Sequence, residues 1–481
     1  MNETIVAQAT PIGKGGVAII RISGQNALPI VQKIFCSKQS TTASQSQPSS
    51  QKITSHHFVY GTLDTGEITD NVLMVYFQSP HSYTGEDVVE IHCHGSQKIV
   101  ECILASLIRN GCRLAQKGEF TRRAVLNQKL DLVQAESIQS LIDSDTILKI
   151  NASNYSLSGQ LSTQFTSLSK DILSLVAQIE AVLDYPEDVT FADEYQQFAN
   201  AILAIITQID TLLAGFAQGR RQMYGVNVCV VGATNAGKSS LVNALLGYDR
   251  AIVTDIEGTT RDTITDEYEY KGVKFLLTDT AGIRPTTDIV EQHGITRTYD
   301  KIKNSDIILS LDDSWDKSLT QPNTTIINIH NKIDLLTTTN TTPTDDQTTA
   351  NPIPKSPTQS MTNHPKTPTP NQSTHNTKEQ IRPIGISAKF GTNIPTLKQV
   401  IFDQSIDTPN IAALSNQRHF DALSRARDLL TMSHNNLKAQ ATLDIIATDA
   451  RAAWIAVASI TSLASTDDLL DQIFSQFCLG K

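Results

Sequence analysis

The sequence predicts a multidomain protein: an α+β N-terminal domain, then an α-helical domain that is discontinuous in sequence because an α/β domain is inserted into it. Short β-branched runs punctuated by Gly and Pro fill the segment from Thr4 to about Leu130. Apolar residues recur at helical spacing on both sides of a middle segment. That middle segment opens with a buried-strand run, a glycine-rich turn and a helix. With 481 residues the chain has room for about three domains.

The first domain, expected over 1–130, rests on the runs VAIIRIS, NVLMVYF and DVVEIHCHG and on a helical stretch from Gln97 to Arg109. Within it, Ser37 to Gln51 is almost purely Ser, Thr, Gln and Ala, which reads as a flexible loop. From 131 to 222 helices are expected, on the spacing of Ile172, Leu173, Val176, Ile179 and Leu183 and then of Ile202, Ile205, Ile209 and Leu212. The α/β domain, 223–403, begins with VNVCVVG and continues through FLLTDT, DIILSLD and TIINIHN, strands that a parallel sheet would use. Thr337 to Lys378 holds 14 Thr and 7 of the 17 Pro, so this polar stretch is expected to be disordered. Helical periodicity returns over 404–481, with Leu423, Leu430 and Leu437, and closes the helical domain.

Thirty-nine Lys and Arg against 49 Asp and Glu give a formal charge of −10, so any nucleic-acid contact has to be local. Arg109 to Lys129, with six basic residues and one Glu, is such a patch. Six widely spaced cysteines with no CxxC fit reduced thiols. With no apolar leader and no uninterrupted 18-residue apolar run, the expected location is cytoplasmic.

Gly232-Ala-Thr-Asn-Ala-Gly237-Lys238-Ser239 matches GxxxxGK[ST] between a predicted strand and a predicted helix. Such a loop surrounds phosphate with amide N–H groups, Lys238 reaches the β and γ oxygens, and the Ser239 hydroxyl can hold Mg²⁺. Asp279-Thr280-Ala281-Gly282 ends the next buried strand, where a carboxylate can hold Mg²⁺ through water. Asn331-Lys332-Ile-Asp334 follows another strand, and an Asp accepts both N1–H and N2–H of guanine, whereas adenine has no donor at N1. Ser387-Ala388-Lys389 can cover the purine with backbone N–H groups and a Lys stem. In this order the motifs predict a GTPase. Ile283 stands where a water-orienting Gln would follow DTAG, leaving Arg284, Asp288 and Glu291 as candidates for that task. Thr254-Asp-Ile-Glu-Gly-Thr-Thr260 reads as a switch whose last Thr can complete a Mg²⁺ shell. Glu90, His92 and His94 alternate on one strand face and make a metal site conceivable, without a further spaced ligand.

VVGATNAGKSSLVNALLGYDRAIVTDIEGTTRD, DTAGIRPTTDIVEQHGI and the terminal DDLLDQIFSQFCLGK closely resemble the MnmE (TrmE) tRNA-modification GTPases, as do TIVAQATPIGKGGVAIIRISG, SYTGEDVVEIHCHG and GEFTRRAVLNQKLDLVQAE. The resemblance implies a potassium-stimulated GTPase with an N-terminal tetrahydrofolate-binding and dimerising domain. It acts on tRNA with an FAD-containing partner, MnmG (GidA), in a heterotetramer. Together they add an aminomethyl or carboxymethylaminomethyl group to C5 of the wobble uridine, drawing on a 5-formyl- or 5,10-methylene-tetrahydrofolate. Carried over residue by residue, Asn235, Thr254, Ile256 and Thr259 would ligate K⁺, and Ser239 and Thr260 Mg²⁺. Ala236, Gly237, Lys238, Ser240, Asp255, Glu257, Gly258 and Asp279 through Gly282 would complete the GTP site with Asn331, Lys332, Asp334 and Ser387 to Lys389. Glu291 takes the water-orienting position, Arg21, Glu90, Lys129 and Lys481 the folate positions, and Cys478 that of the C-terminal reactive Cys. Lys14 departs from the family's usual Arg, losing a planar fork. The Thr/Pro insertion lengthens the connection between NKID and SAK, at a closure cost small enough that the guanine site is expected to survive. A ribosome-assembly GTPase would instead carry a KH-like basic module, and a nucleotide-gated scaffold would leave the modification chemistry to its partner.

Overall fold

The computed structural model describes residues 3–37, 53–184, 191–247, 266–279, 301–312, 315, 317–321, 324–335, 383–405, 413–461, 467–478 and 480. The stretch Thr337 to Lys378 and nearly all of Ser37 to Gln51 lie outside the described residues. The chain divides into two compact units, Met1–Met223 with Pro409–Lys481, and Tyr224–Thr408.

The first unit begins with a seven-stranded sheet of β1 (Ile5–Gln8), β2 (Val17–Ser23), β3 (Phe35–Ser37), β4 (Phe58–Asp64), β5 (Thr69–Phe77), β6 (Val88–His94) and β7 (Arg113–Leu114), in the order β3-β4-β5-β6-β2-β1-β7. Alternation along β6 from Val89 onward turns Val89, Ile91 and Cys93 into a core shared with Ile20, Ile22 and Met74 and with Val100, Ile103 and Leu107 of a covering helix. Of the helices here, α1 (Ala27–Gln32), α2 (Gln97–Arg109) and α3 (Glu119–Leu126), α2 matches the predicted stretch end for end. On the opposite face the antiparallel register sets Arg21 beside Glu90 and Ile19 beside His92.

Five helices follow: α4 (Leu132–Ile142), α5 (Ile147–Leu157), α6 (Gln160–Asp184), α7 (Phe191–Ala214) and α8 (Phe216–Tyr224). A capping box starts α4, with the Asp131 carboxylate accepting from Gln134 N and the Gln134 side chain accepting from Asp131 N. Ile172, Val176 and Ile179 of α6 are buried as their spacing predicts, whereas Leu173 is exposed, one step off the 3.6-residue stripe. The segment Tyr195–Tyr224 is long and apolar enough to cross a membrane by length and composition, weak evidence that a core helix also produces. Its Phe198, Ile202, Ile205 and Ile209 are buried in the helical core.

In the second unit β8 (Val226–Val231) leads through the phosphate loop into α9 (Lys238–Leu246), followed by β9 (Asp266–Tyr270), β10 (Val273–Asp279), β11 (Ile307–Ser310), β12 (Thr325–His330), β13 (Ile384–Gly385) and α10 (Ile394–Ser405). The sheet order β13-β12-β11-β8-β10-β9 is parallel except at its edge, where β9 runs antiparallel to β10. The four strands named from the sequence are mutually parallel, and β9, which the sequence reading did not name, is added at the edge by a hairpin through Lys271 and Gly272, both at positive φ.

The first unit is completed by α11 (Gln417–Lys438), α12 (Leu443–Thr461) and α13 (Asp467–Ser475). Leu423, Leu430 and Leu437 enter the same core as Ile172 and Ile202, so helices far apart in sequence share one interior. Arg418 donates to both oxygens of Glu136 at 2.8 and 3.0 Å and to the terminal carbonyls of Ser459 and Ile460 in α12, while His419 Nε2 meets Glu136 Oε2 at 2.9 Å. Burial alone raises the Glu136 carboxyl, but hydrogen bonds from His419 and Arg418 outweigh it and hold the group down to about 2. Burial pushes the His419 imidazole down. A carboxylate depressed in the fold contributes stability that is present above its ordinary value near 4.5 and lost as pH falls towards 2, and a depressed histidine loses stability in the same direction below 6.5. Glu136→Gln is therefore expected to cost the helical unit about 3 kcal/mol at neutral pH by leaving Arg418 half-paired. Denaturant unfolding at pH 7 and pH 4 measures it, with the variant's deficit shrinking at the lower pH.

Candidate nucleotide site and sheet-face site

Three loops at the C-terminal ends of parallel strands meet in the second unit. Gly237 at φ +93° turns the phosphate loop into α9, and a Cβ there would lie 2.3 Å from Asn331 Nδ2, so only glycine permits the approach. Asn331 Nδ2 donates to Ala236 O at 3.1 Å, and Asn331 Oδ1 accepts from Lys332 N at 2.8 Å and Ala388 N at 3.1 Å. One amide side chain thus ties the phosphate loop to both base-side loops. Lys332 Nζ donates to Asn235 O at 2.8 Å, and Ser387 Oγ donates to Asp334 Oδ1 at 2.6 Å, fixing the carboxylate that the sequence assigns to guanine. Lys238 is buried, with Nζ donating to Gly232 O and Ala233 O at 2.9 Å each. Ser239 and Ser240 stand in the first turn of α9, and Lys389 Nζ lies 5.1 Å from the ring of exposed Phe390.

The backbone of Asp279 ends β10 opposite Val230, in line with the phosphate loop. Thr254, Asp255, Ile256, Glu257, Gly258, Thr259, Thr260, Thr280, Ala281, Gly282, Arg284, Asp288 and Glu291 lie outside the described residues, as does Lys481. Asparagine amide and serine hydroxyl oxygens at Asn235 and Ser239 are hard donors of the kind that K⁺ and Mg²⁺ accept.

On the half-buried second face of the first unit's sheet, Arg21 Nε donates to Glu90 Oε1 at 2.8 Å, and Arg21 Nη1 lies 3.5 Å from Gly480 O. The Arg21 guanidinium stands 5.3 Å from the Tyr83 ring and 5.8 Å from the Phe120 ring. The C-terminal tail is seated beside β1, since a Cβ on Gly480 would come within 2.1 Å of Gln8 O. Lys129 Nζ donates to Pro80 O at 3.1 Å, and its stem packs beside Gly85, two residues from Tyr83. His92 Nε2, 3.7 Å from Glu90 Oε2, is buried without a hydrogen bond. A cation with aromatic flanks, a carboxylate and an unsatisfied imidazole nitrogen fit a flat polar heterocycle such as a pterin. Exposed Cys478 belongs to the same tail, its carbonyl accepting from Gly118 N at 3.4 Å.

No metal-ligand cluster occurs among the described residues: Glu90 is committed to Arg21, and the exposed His94 takes Asp70 as partner at 2.6 Å. The basic patch from Arg109 to Lys129 is also corrected. Arg109 pairs with Glu67, Arg113 with Glu3 and Glu119, Arg122 with Asp471, and buried Arg123 with Glu86 and Glu119. Acids from outside the segment, Glu3, Glu67, Glu86 and Asp471, offset most of what the linear count left positive. All six cysteines are free thiols, four of them buried.

Two family models match the chain. One, described as the TrmE N-terminus of a GTP-binding protein, covers residues 4–129, and the other, the MnmE helical domain, spans 132–478. The tRNA modification GTPase MnmE of Geotalea uraniireducens is 36% identical over 498 aligned residues, covering all of both chains. That of Christiangramia forsetii is 36% identical over 487, again covering all of both. Among solved structures, the FeoB G-domain from Methanococcus jannaschii is 18% identical with a TM-score of 0.21, covering 37% of this chain and 97% of its own. Matched along its whole length by relatives more than a third identical, the chain belongs to the MnmE (TrmE) family of tRNA modification GTPases.

Proposed function

We propose that this chain is a K⁺-stimulated GTPase which, as a homodimer in the cytoplasm with an MnmG-type FAD protein, adds an aminomethyl or carboxymethylaminomethyl group to C5 of the wobble uridine of tRNA, using a tetrahydrofolate one-carbon unit. The observation that supports it most is the convergence on Asn331 of the phosphate loop, the NKID loop and the SAK loop. Lys238 carries positive charge at the phosphates, and the Gly237 turn opens the amides of the loop towards them. Asp334, held by Ser387, reads guanine through two donors that adenine does not present. Asn235, Thr254, Ile256 and Thr259 would hold K⁺, and Ser239 and Thr260 Mg²⁺, with Asp279 acting through water. Bound there, these cations supply the positive charge that the transition state's phosphate oxygens require. Glu291 orients the attacking water in place of a Gln.

In the first unit Arg21, Glu90, Lys129 and the terminal Lys481 would hold the folate, which when bound supplies the one-carbon unit. The packing of Gly480 beside Arg21 supports that grouping. Cys478, three residues from the end, would act at that site or on the tRNA.

GTP turnover in K⁺ is expected to exceed that in Na⁺ at equal ionic strength by about tenfold or more, and equal rates would remove the cation's role. Glu291→Ala should lower turnover by about two orders of magnitude with GTP affinity nearly unchanged, and a loss confined to affinity contradicts the assignment. Cys478→Ser should abolish tRNA modification, scored by nucleoside analysis, while GTP hydrolysis and retention of reduced folate persist. If modification persists too, the chemistry lies on the flavoprotein. Gly237→Ala should cost about a hundredfold or more in GTP affinity, because its methyl displaces Asn331. Isothermal titration against the unchanged chain measures it.

A further inference from the structure

Asp312 lies just past β11, outside every nucleotide motif. Its backbone is fixed locally: Leu311 N donates to Val231 O at 3.0 Å, Ser310 Oγ donates to Asp312 O at 2.7 Å, and Trp315 Nε1 donates to Ser310 Oγ at 2.8 Å. The carboxylate is thereby placed under the first turn of the phosphate loop, where Asp312 Oδ2 accepts from Ala233 N at 2.5 Å. A Cβ on Gly232 would stand 3.2 Å from the same oxygen. Across that very peptide group, the Gly232 carbonyl accepts from Lys238 Nζ at 2.9 Å.

In a trans peptide the N–H and C=O point in opposite directions. The Gly232–Ala233 peptide therefore lies between an anion and a cation, its donor on the carboxylate and its acceptor on the ammonium. Both bonds are charge-assisted, and each polarises the group in the direction that strengthens the other.

We propose that Asp312 is a positioning residue of the GTP site, which acts through the Gly232–Ala233 peptide on one of the two carbonyls that hold Lys238 and which limits nucleotide affinity so that bound nucleotide exchanges. The role has two parts of opposite sign. The hydrogen bond to Ala233 N orders the loop and favours phosphate binding. The negative charge, one peptide away from Lys238, repels the incoming polyanion. Asparagine keeps an acceptor oxygen and discards the charge, whereas alanine discards both.

The test uses full-length chain titrated with methylanthraniloyl-GDP, release rates by stopped flow, and unfolding midpoints without nucleotide. D312N is expected to bind about tenfold tighter and release correspondingly more slowly, and D312A about tenfold more weakly. A residue that merely fills space or braces the loop would move both variants the same way. Shifts of one sign in the two variants, or an asparagine variant that does not tighten, overturn the proposal. If D312A unfolds at a markedly lower temperature, the asparagine variant, which preserves the hydrogen bond, decides alone. The inference rests on nucleotide binding at this loop. Failure of the unchanged chain to bind in the same titration would overturn that reading and this one together, whereas normal binding with unaltered variants overturns only the role of Asp312.

Discussion

Glu136 is the point on which the helical part of the molecule depends. Its partners Arg418 and His419 lie more than 280 positions further along the chain, so the pair can form only if the two sequence halves of the helical region fold onto each other. Burying a carboxylate and a guanidinium costs several kcal/mol each unless their hydrogen-bonding capacity is met. Here it is met, because Asn416 adds a donor to Glu136 and the spare Arg418 donors go to carbonyls that the end of α12 would otherwise leave open. With both Glu136 oxygens and the Arg418 donors paired, and only His419 Nδ1 of the cluster left without a hydrogen bond, the network favours one arrangement of α4, α11 and α12 over near alternatives of similar apolar burial. From that arrangement α13 follows: Leu470, Phe474 and Phe477 pack with Val125, Leu132 and Ala135, and the tail beyond them reaches Arg21.

The second unit is organised by a neutral group, and the difference is chemical. Lys238 meets the charge that a guanine nucleotide brings, and the loops around it still have to be held in place relative to one another. Asn331 holds them with one donor and two accepted bonds, each to a different loop or loop residue. Its position demands unusual backbone nearby: Asn235 and Lys332 both sit at positive φ, +64° and +65°. Asparagine tolerates that region, but lysine there costs on the order of 1 kcal/mol, a cost the fold accepts because Lys332 then reaches the Asn235 carbonyl.

These two solutions explain what could be read in the sequence and what could not. The nucleotide loops were legible because backbone atoms bind the phosphates, and backbone needs dictate residue identity locally: glycine where φ is positive or a side chain approaches, lysine and serine at fixed offsets. Buried strands and α2 were legible for the same local reason, since their pattern is their environment. The sheet-face site was not. Arg21 and Glu90 become neighbours only through the register of β2 on β6, and Gly480 through the closing of the helical core, so without the family resemblance nothing in their sequence neighbourhoods marks them. Edge strand β9, DEYEY, lacked an apolar pattern because only Tyr268 of its side chains is fully buried.

Charge was the property for which linear reading misled most. Six basic residues between Arg109 and Lys129 look like a surface that attracts phosphate, but electrostatic potential belongs to positions in space. Four of those six are held by carboxylates supplied from Glu3, Glu67, Glu86, Glu119 and Asp471. Arg123, among the largest fully buried side chains, could not be placed there at all without Glu86 and Glu119 on either side of it. The acidic excess of this chain thus includes the counter-ions of its own interior. The formal −10 consequently says little about the potential at any one place on the surface.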